Sequence, residues 1–162
     1  MNLNKKNIRI LDEMIEIAKK GNHRSKHAAA IVHSGKGKIL YSAENRVLGL
    51  GNGLKTKHAE ANVIGLCLAQ NKNKQILRGK TLYVIRINPN FNYDTCNFVE
   101  HFYDKKNNPF QNSKPCPKCQ SLINKCIDKY GLKGVVYTWQ IIYLLLFSIV
   151  NKILYIKLKY LI

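Results

Sequence analysis

Residues 113–119 have the sequence SKPCPKC, and residues 57–60 have the sequence KHAE. Each stretch leads into a run of residues that predicts a helix, so both are expected at helix starts. Cys116 and Cys119 are three positions apart, and Pro117 suits the first position of a helix, where no N–H is needed. Free N–H groups and the positive end of the helix would then stabilise both thiolates.

His58 adds an imidazole to these two cysteines, which gives a set of three metal ligands. Two thiolates balance the charge of Zn²⁺, and three protein ligands leave one tetrahedral position for water, as catalytic zinc sites do. Glu60 is too close to His58 in sequence to be an ideal fellow ligand, but it is placed to act as a base on that water. Two other interpretations stay open: a redox pair of the two cysteines, and a closed structural site that adds Cys126 and His101.

Helices and strands alternate along the rest of the chain. Ile8, Leu11 and Ile15 fall on one face of a first predicted helix. The elements are expected, in chain order, as a helix (4–20), two strands (28–32 and 38–42), a glycine-bearing loop (49–57), a helix (58–69), a strand (81–87), a helix (117–129) and a strand (134–138). This order predicts an α/β domain in which helices pack on both faces of a mixed central sheet.

Composition sets the outer limits of the interpretation. The chain has 162 residues, enough for one domain, and 46% are hydrophobic, which excludes a wholly disordered protein. It carries 27 Lys and Arg against 9 Asp and Glu, a net charge of +18. This charge would attract phosphate-bearing ligands from nucleotides to RNA, although blocks such as residues 72–74 are most simply interpreted as solvated loops. Five cysteines with no secretory leader ahead of them favour a reducing compartment, so we expect a cytoplasmic protein.

Two segments stand apart from the alternating pattern. Residues 88–113 are polar, irregular and too long for an ordinary connection, which predicts an insertion that serves as a substrate lid, an oligomer contact or a surface loop. Residues 139–162 form an atypical hydrophobic tail that is short for crossing a bilayer once the preceding strand is set aside. We expect the tail to pack on the sheet as a helix or a strand. A membrane anchor and an abnormal C-terminus are the alternatives.

The two clusters together resemble the H-x-E…P-C-x-x-C signature of zinc deaminases. The chain is similar to the cytidine and deoxycytidylate deaminase superfamily over residues 8–138. This resemblance implies a three-layer α/β/α, cytidine-deaminase-like fold for a deaminase domain of residues 1–138. It also implies that Zn²⁺ is held by His58, Cys116 and Cys119, and that Glu60 is the catalytic base and, later, the acid.

Contacts to the substrate are implied by the same resemblance. Asn45 matches an asparagine that follows the second strand and contacts the sugar, and Ala28 and Ala29 match small residues that flank the base pocket. The backbone of Ala59 would meet the exocyclic amine of the base. The N–H of Cys116 would face the carbonyl of the base.

The implied activity is zinc-dependent hydrolytic deamination of a cytosine nucleoside or nucleotide of the dCMP or CMP type, with release of ammonia. Histidine as the first ligand resembles the deoxycytidylate branch, although the same form occurs in tRNA adenosine, guanine and polynucleotide cytosine deaminases. The alternatives are therefore a tRNA or polynucleotide base deaminase of the same fold and a non-catalytic, zinc-stabilised binding module, against which the intact Glu60 argues. The expected partners are a small nucleoside or nucleotide and further copies of the chain in a homo-oligomer. Nucleic acid is the alternative partner, and only the hydrophobic tail leaves a membrane open.

Overall fold

The computed structural model describes residues 3–48, 55–93, 108–143 and 147. Helices and strands alternate along these residues as the sequence predicts. Their order is α1 (Leu3–Lys19), β1 (Lys26–His33), β2 (Ile39–Glu44), β3 (Arg46–Leu48), β4 (Lys55–Lys57), α2 (Ala59–Gln70), a 3₁₀ turn (Lys74–Leu77), β5 (Lys80–Ile87), β6 (Phe110–Gln111), α3 (Pro117–Tyr130) and β7 (Gly134–Tyr137). Residues 138–143 and 147 are again helical.

A mixed sheet forms the middle of the domain. Its neighbouring strands β2, β1 and β5 are antiparallel, and β5 has two further partners on its outer edge. The short strand β6 pairs antiparallel with Arg86 and Ile87, whereas β7 pairs parallel with residues 81–84. The carboxyl end of β5 is therefore flanked by β6, and its first half by β7.

Side chains from successive residues of the two central strands enter opposite cores, because a strand alternates its faces. Ala28 and Ala30 of β1 and Ile85 of β5 pack with α1. Ala29 of β1 and Val84 of β5 pack with residues of α2 and α3. The two cores give the three layers, α/β/α, that the sequence analysis predicted.

Helix α1 presents the apolar stripe that its sequence predicts, with one difference. Leu11 and Ile15 are buried at 2% exposure, and Met14 beside them is fully buried. Ile8, which the helical spacing places with them, is 41% exposed. The stripe that packs on the sheet therefore begins after the first two turns of the helix.

Three strands, β3, β4 and β6, were not predicted. Residues 49–57 were expected as a loop, but Lys55–Lys57 forms β4. It pairs antiparallel with β3, so that Arg46 lies opposite Lys57 and Leu48 opposite Lys55. This two-stranded ribbon is largely exposed, so it has no apolar alternation that a sequence pattern could reveal. Residues 49–54 lie outside the described part of the chain.

The third unpredicted strand, β6, lies inside the segment expected to be an insertion. The N–H of Asn88 donates to the carbonyl of Pro109 at 2.8 Å, so the chain leaves β5 and returns to it at one point. Tyr93 accepts from the N–H of Asn88 and donates to the Pro109 carbonyl, and its ring contacts Phe91 and Phe110 edge-on. The segment thus begins and ends as a hairpin stem. Residues 94–107, on which the choice between lid, oligomer contact and surface loop depends, lie outside the described part.

The hydrophobic tail begins as a helix that packs on the sheet, which is one of the two expected forms. Ile141 and Ile142 are 1% and 3% exposed and belong to the core beneath α1. Among the described residues no helix is long and apolar enough to cross a membrane. The rest of the tail, apart from residue 147, lies outside the described part, and the domain boundary at residue 138 stays a prediction.

A pair of glycine substitutions tests the local geometry. Gly131 ends α3 with φ 68°, and an added Cβ would lie 3.2 Å from Cγ of Arg78. We expect Gly131→Ala to destabilise the protein by about 1–2 kcal/mol, because the left-handed conformation disfavours a Cβ.

Gly65→Ala is the control, since Gly65 lies inside α2 and its Cβ would meet only Nζ of Lys57, at 3.7 Å. Alanine should stabilise the helix there by about 0.5–1 kcal/mol. Denaturant unfolding of both variants measures the two effects. If both variants changed the free energy of unfolding in the same direction, the argument from the left-handed conformation of Gly131 would be wrong.

Candidate metal and catalytic site

His58 is the residue that begins α2. Its backbone is extended (φ −68°, ψ 149°), its carbonyl accepts the first helical hydrogen bond from Asn62 at 2.9 Å, and its side chain makes no capping bond. The imidazole is exposed and free to act as a ligand. Glu60 lies in the first turn of the same helix and is buried.

Cys116 has the corresponding place at the start of α3. Its backbone is also extended (φ −67°, ψ 163°), its carbonyl accepts from the N–H of Gln120 at 2.9 Å, and Pro117 follows as the first helical residue. Cys119 lies in the first turn and is 4% exposed. The two helix starts predicted from the sequence are thus confirmed.

The preceding segment is held to the end of the sheet by Ser113. The hydroxyl of this buried residue donates to the carbonyl of Val84 in β5 at 3.0 Å. It also accepts from the N–H of Thr138, at the end of β7, at 2.9 Å. Thr138 in turn accepts from the N–H of Arg86 through its own hydroxyl, at 3.1 Å. These bonds fix the chain three residues before Cys116.

The two helix starts bring the three predicted ligands together. Nδ1 of His58 lies 3.5 Å from Sγ of Cys116 and 3.5 Å from Sγ of Cys119. All the candidate ligand atoms lie within 4.8 Å of one another. Metal–sulfur and metal–nitrogen bonds of about 2.3 and 2.0–2.1 Å at tetrahedral angles require an N···S separation of roughly 3.5 Å. The donor atoms therefore have the spacing that a tetrahedral zinc ion needs.

The charge balance of this cluster also favours a bound cation. Burial, the charge of Glu60 and the neighbouring Cys116 raise the pKa of Cys119 to about 12. A hydrogen bond with the backbone of Ala61 lowers this pKa by a smaller amount. A buried thiol of this kind keeps its proton at neutral pH. A divalent cation removes that preference, because metals bind the thiolate and displace the proton.

Glu60 lies beside the ligand cluster with part of its carboxyl group unpartnered. It is 3% exposed, and its Oε2 is buried without a hydrogen-bond partner among the described residues. Burial raises the pKa of this carboxyl group, while its own backbone N–H and His58 lower it. The pKa of Tyr137 is raised by burial and, to a smaller extent, by the charge of Glu60, so that phenol lies near the same site. A carboxyl group of this kind can accept and return a proton.

The structure divides the two alanines that were predicted to flank a base pocket. Ala29 lies in the same core as Ala59, the first residue of α2, and therefore on the face of the metal ligands. Ala28 lies in the opposite core, beneath α1. Adjacent strand residues point to opposite faces, so of the two only Ala29 has its side chain on the face of the metal ligands, and a contact of either alanine with the base stays a prediction.

Asn45 lies near the site, but its side chain is hydrogen-bonded to the backbone at the start of β1. Its Oδ1 accepts from the N–H of His27 at 2.9 Å, and its Nδ2 donates to the carbonyl of Ser25 at 2.6 Å. The amide keeps one N–H and one lone pair for a further partner. A contact with the substrate sugar stays a prediction.

The other cysteines lie away from this cluster. Cys67 and Cys126 are fully buried in the core between the sheet and the two helices. Burial, and then Cys126, raise the pKa of Cys67 to about 11. Within the described part of the chain the three predicted ligands are the group able to hold a metal, and Cys126 is not among them. His101, the other member of the alternative closed site, lies outside that part.

Sequence reasoning missed Arg86, which lies at the site end of β5. Its residue-by-residue neighbours across the sheet are His27 in β1 and Gln111 in β6. The available signal was a charged residue within an otherwise apolar strand, residues 81–87. Strands of this kind are buried on both faces, so a charge inside one requires a reason.

Comparisons with known proteins agree with this geometry. A family model described as the cytidine and deoxycytidylate deaminase zinc-binding region matches residues 4–137. Among solved structures, the dCMP deaminase from the cyanophage S-TIM5, in its apo form, matches with a TM-score of 0.50 and 19% sequence identity. That match covers 85% of this chain and 84% of the cyanophage chain, and it supports the fold alone. The sequence gives no significant match among curated proteins.

The family model spans both helix starts and the strands between them, and the ligand atoms have the spacing that its metal requires. The chain therefore belongs to the cytidine and deoxycytidylate deaminase family, and its metal cofactor is zinc.

Proposed function

We propose that this protein hydrolytically deaminates a cytosine nucleotide of the dCMP or CMP type, consuming water and releasing ammonia. The observation that carries the proposal is the position of Glu60, whose buried and partly unpartnered carboxyl group adjoins the His58, Cys116 and Cys119 cluster. A structural zinc site has no use for such a group, whereas hydrolysis needs a proton acceptor there.

Each residue of the cluster has a proposed part in this reaction. His58, Cys116 and Cys119 would hold zinc, which acts as a Lewis acid toward the attacking water. Glu60 takes a proton from that water and delivers it to the ring nitrogen of the base, and it then assists the departure of the amine as ammonia. The burial of Glu60 supports this role, because a carboxyl group with a raised pKa returns a proton more readily than one in water.

The base would bind between the start of α2 and the sheet. Ala59 and Ala29, both fully buried and in one core cluster, leave room for a flat ring beside the ligands because their side chains are small. The backbone of Ala59 would accept from the amine of the base, and the N–H of Cys116 would donate to its carbonyl. These contacts follow the family resemblance.

A polynucleotide deaminase of the same fold is the second candidate. The net charge of +18 favours it, because a surface rich in Lys binds phosphate backbones. The first candidate is preferred because histidine as the first metal ligand, His58, resembles the deoxycytidylate branch of the family. We further propose a cytoplasmic location, which the free cysteines among the described residues support, and an assembly into a homo-oligomer, which follows the family resemblance.

Removal of a ligand should remove the metal. We expect Cys116→Ala and Cys119→Ala to lower bound zinc from one ion per chain to a small fraction and to lower the thermal midpoint, because metal binding is coupled to folding. Metal analysis of the purified, dialysed proteins measures this.

Cys126→Ala is the matched control, since Cys126 lies on the same helix as Cys119 and is equally buried. It should keep its zinc even if the core loses stability. If Cys126→Ala lost its zinc, the closed structural site that includes Cys126 would become the better account of the metal ligands.

Glu60→Gln should abolish turnover while preserving the site. The amide keeps the size of the side chain but cannot accept a proton, and general acid–base catalysis is worth about 10²–10⁴ in rate. Ammonia release should fall at least by that factor, with zinc content unchanged. Glu16→Gln, an exposed substitution on α1, is the control and should be fully active. Near-normal ammonia release from Glu60→Gln would assign the proton transfer to another group.

The substrate class can be separated by its response to salt. Free dCMP or CMP should be deaminated with saturation kinetics that change only moderately between about 50 and 200 mM salt. A polynucleotide substrate would instead lose affinity steeply over this range, because several Lys–phosphate contacts release counterions. Deamination of an oligonucleotide, but of neither mononucleotide, would make the second candidate the correct one.

A further inference from the structure

Arg86 lies on the face and at the end of the sheet where the metal ligands meet. Leu82 and Val84, two and four residues before it, pack in the core shared with α2 and α3, so strand alternation places Arg86 on that face as well. It is the last residue but one of β5. The segment that carries Cys116 is tied to the same strand end through Ser113 and Val84.

The guanidinium of Arg86 has no counter-charge in the described part of the chain. Its Nε is buried and has no hydrogen-bond partner there. The ion pairs of that part join Arg9 to Glu13, Lys19 to Glu16, and Arg46 to Glu44. Arg86 as a whole is half-buried, so an anionic ligand could reach its guanidinium and supply both the missing charge and the missing hydrogen bond.

His27 is the cross-strand neighbour of Arg86 on β1. Directly opposed residues on one face have side chains about 5 Å apart at Cβ. Burial and the charge of Arg86, with smaller effects from His58 and His23, lower the pKa of His27 to about 4. At neutral pH His27 is thus an uncharged hydrogen-bonding group, its Nε2 lying 2.9 Å from Oγ of Ser25. The positive charge at this point of the site is that of Arg86.

The order of side chains along the strands indicates how a ligand would be oriented in the site. Ala29, which shares a core with Ala59, pairs with Val84, and His27 pairs with Arg86. The two pairs are two residues apart along the strands, which is about 7 Å. His27 also holds Asn45 through its backbone N–H. From the metal ligands outward, the site therefore offers small apolar residues, then a polar amide, then a cation. A nucleotide has base, sugar and phosphate in that order.

We propose that Arg86, with His27 beside it, binds the 5′-phosphate of the substrate and makes the enzyme selective for the nucleotide over the nucleoside. This inference rests on the proposed function. The phosphate is the anionic group of such a substrate, and a guanidinium can bind two of its oxygens at once.

The test compares dCMP with deoxycytidine on the zinc-loaded protein and on Arg86→Gln. We expect kcat/KM for dCMP to fall roughly 10- to 100-fold, the usual effect of losing hydrogen bonds to a charged group, with deoxycytidine unchanged. Arg86→Lys should recover part of the loss, because it restores the charge without the planar fork. Arg78→Gln, with the same change of charge just before β5, is the control and should keep the preference for dCMP.

Binding without turnover gives a second measurement. Calorimetry with dUMP, deoxyuridine and inorganic phosphate should show dUMP and phosphate binding weakened in Arg86→Gln and deoxyuridine binding unaffected. If the protein deaminates no base, the proposed function fails, yet this measurement still decides whether Arg86 binds phosphate.

Three results would overturn the inference. One is an equal loss of activity on dCMP and deoxycytidine, which would make Arg86 a residue that only arranges the site. Another is unchanged binding of dUMP and phosphate together with a lower thermal midpoint, which would make its role structural. The third is an equal loss of affinity for an oligodeoxycytidylate that has no terminal phosphate, which would assign Arg86 to a phosphodiester backbone.

Discussion

The antiparallel ladder between β1 and β5 is the constraint on which the rest of the molecule depends. It runs unbroken over eight residue pairs, from Lys26 with Ile87 to His33 with Lys80. Its alternation sends small side chains toward α2 on one face and toward α1 on the other. Because the ladder fixes where β5 ends, it also fixes where α2 and α3 can begin. The three ligand atoms are close together only because those two helix starts meet at that end of the sheet.

This arrangement concentrates polar groups in a place that would otherwise be apolar. Glu60 and Arg86 each have a buried atom beside the sheet that lacks a hydrogen-bond partner in the described part, and the Cys119 thiol is buried next to them. Folding alone gains nothing from such groups, since apolar residues of similar size would pack there at lower free energy. Their presence is understandable when a metal ion and a charged substrate complete the site. Stability is thus lower in the region where the chemistry is done.

Much of this could be predicted from the sequence, and the parts that could not have a common cause. The cysteine spacing, Pro117 and the residues around His58 are local signals, so both helix starts and the ligand set were identified. Strand β6 consists of two residues, and β3 and β4 of three each, so none of them is long enough to show a period. Asn45 was selected as a possible substrate contact, but its bonds to Ser25 and His27 depend on a strand eighteen residues or more away.

The face to which a side chain points was the other limit. Ala28 and Ala29 are alike as residues, and only the pairing of β1 with its neighbours decides which of them shares a core with Ala59. Arg86 posed the same problem, because a charge in an apolar strand signals importance without indicating its direction. Both assignments require the register of the sheet, which is a property of the whole domain.

The double use of β5 has a consequence for how this domain can vary. The chain departs at Asn88 and returns at Pro109, where one backbone bond closes the excursion, and Ser113 then anchors the approach to Cys116. The two points where the chain leaves and rejoins the sheet are therefore fixed relative to the metal ligands. A change of length between Asn88 and Pro109 would leave both of these anchors in place, so the domain can accept inserted residues at this position.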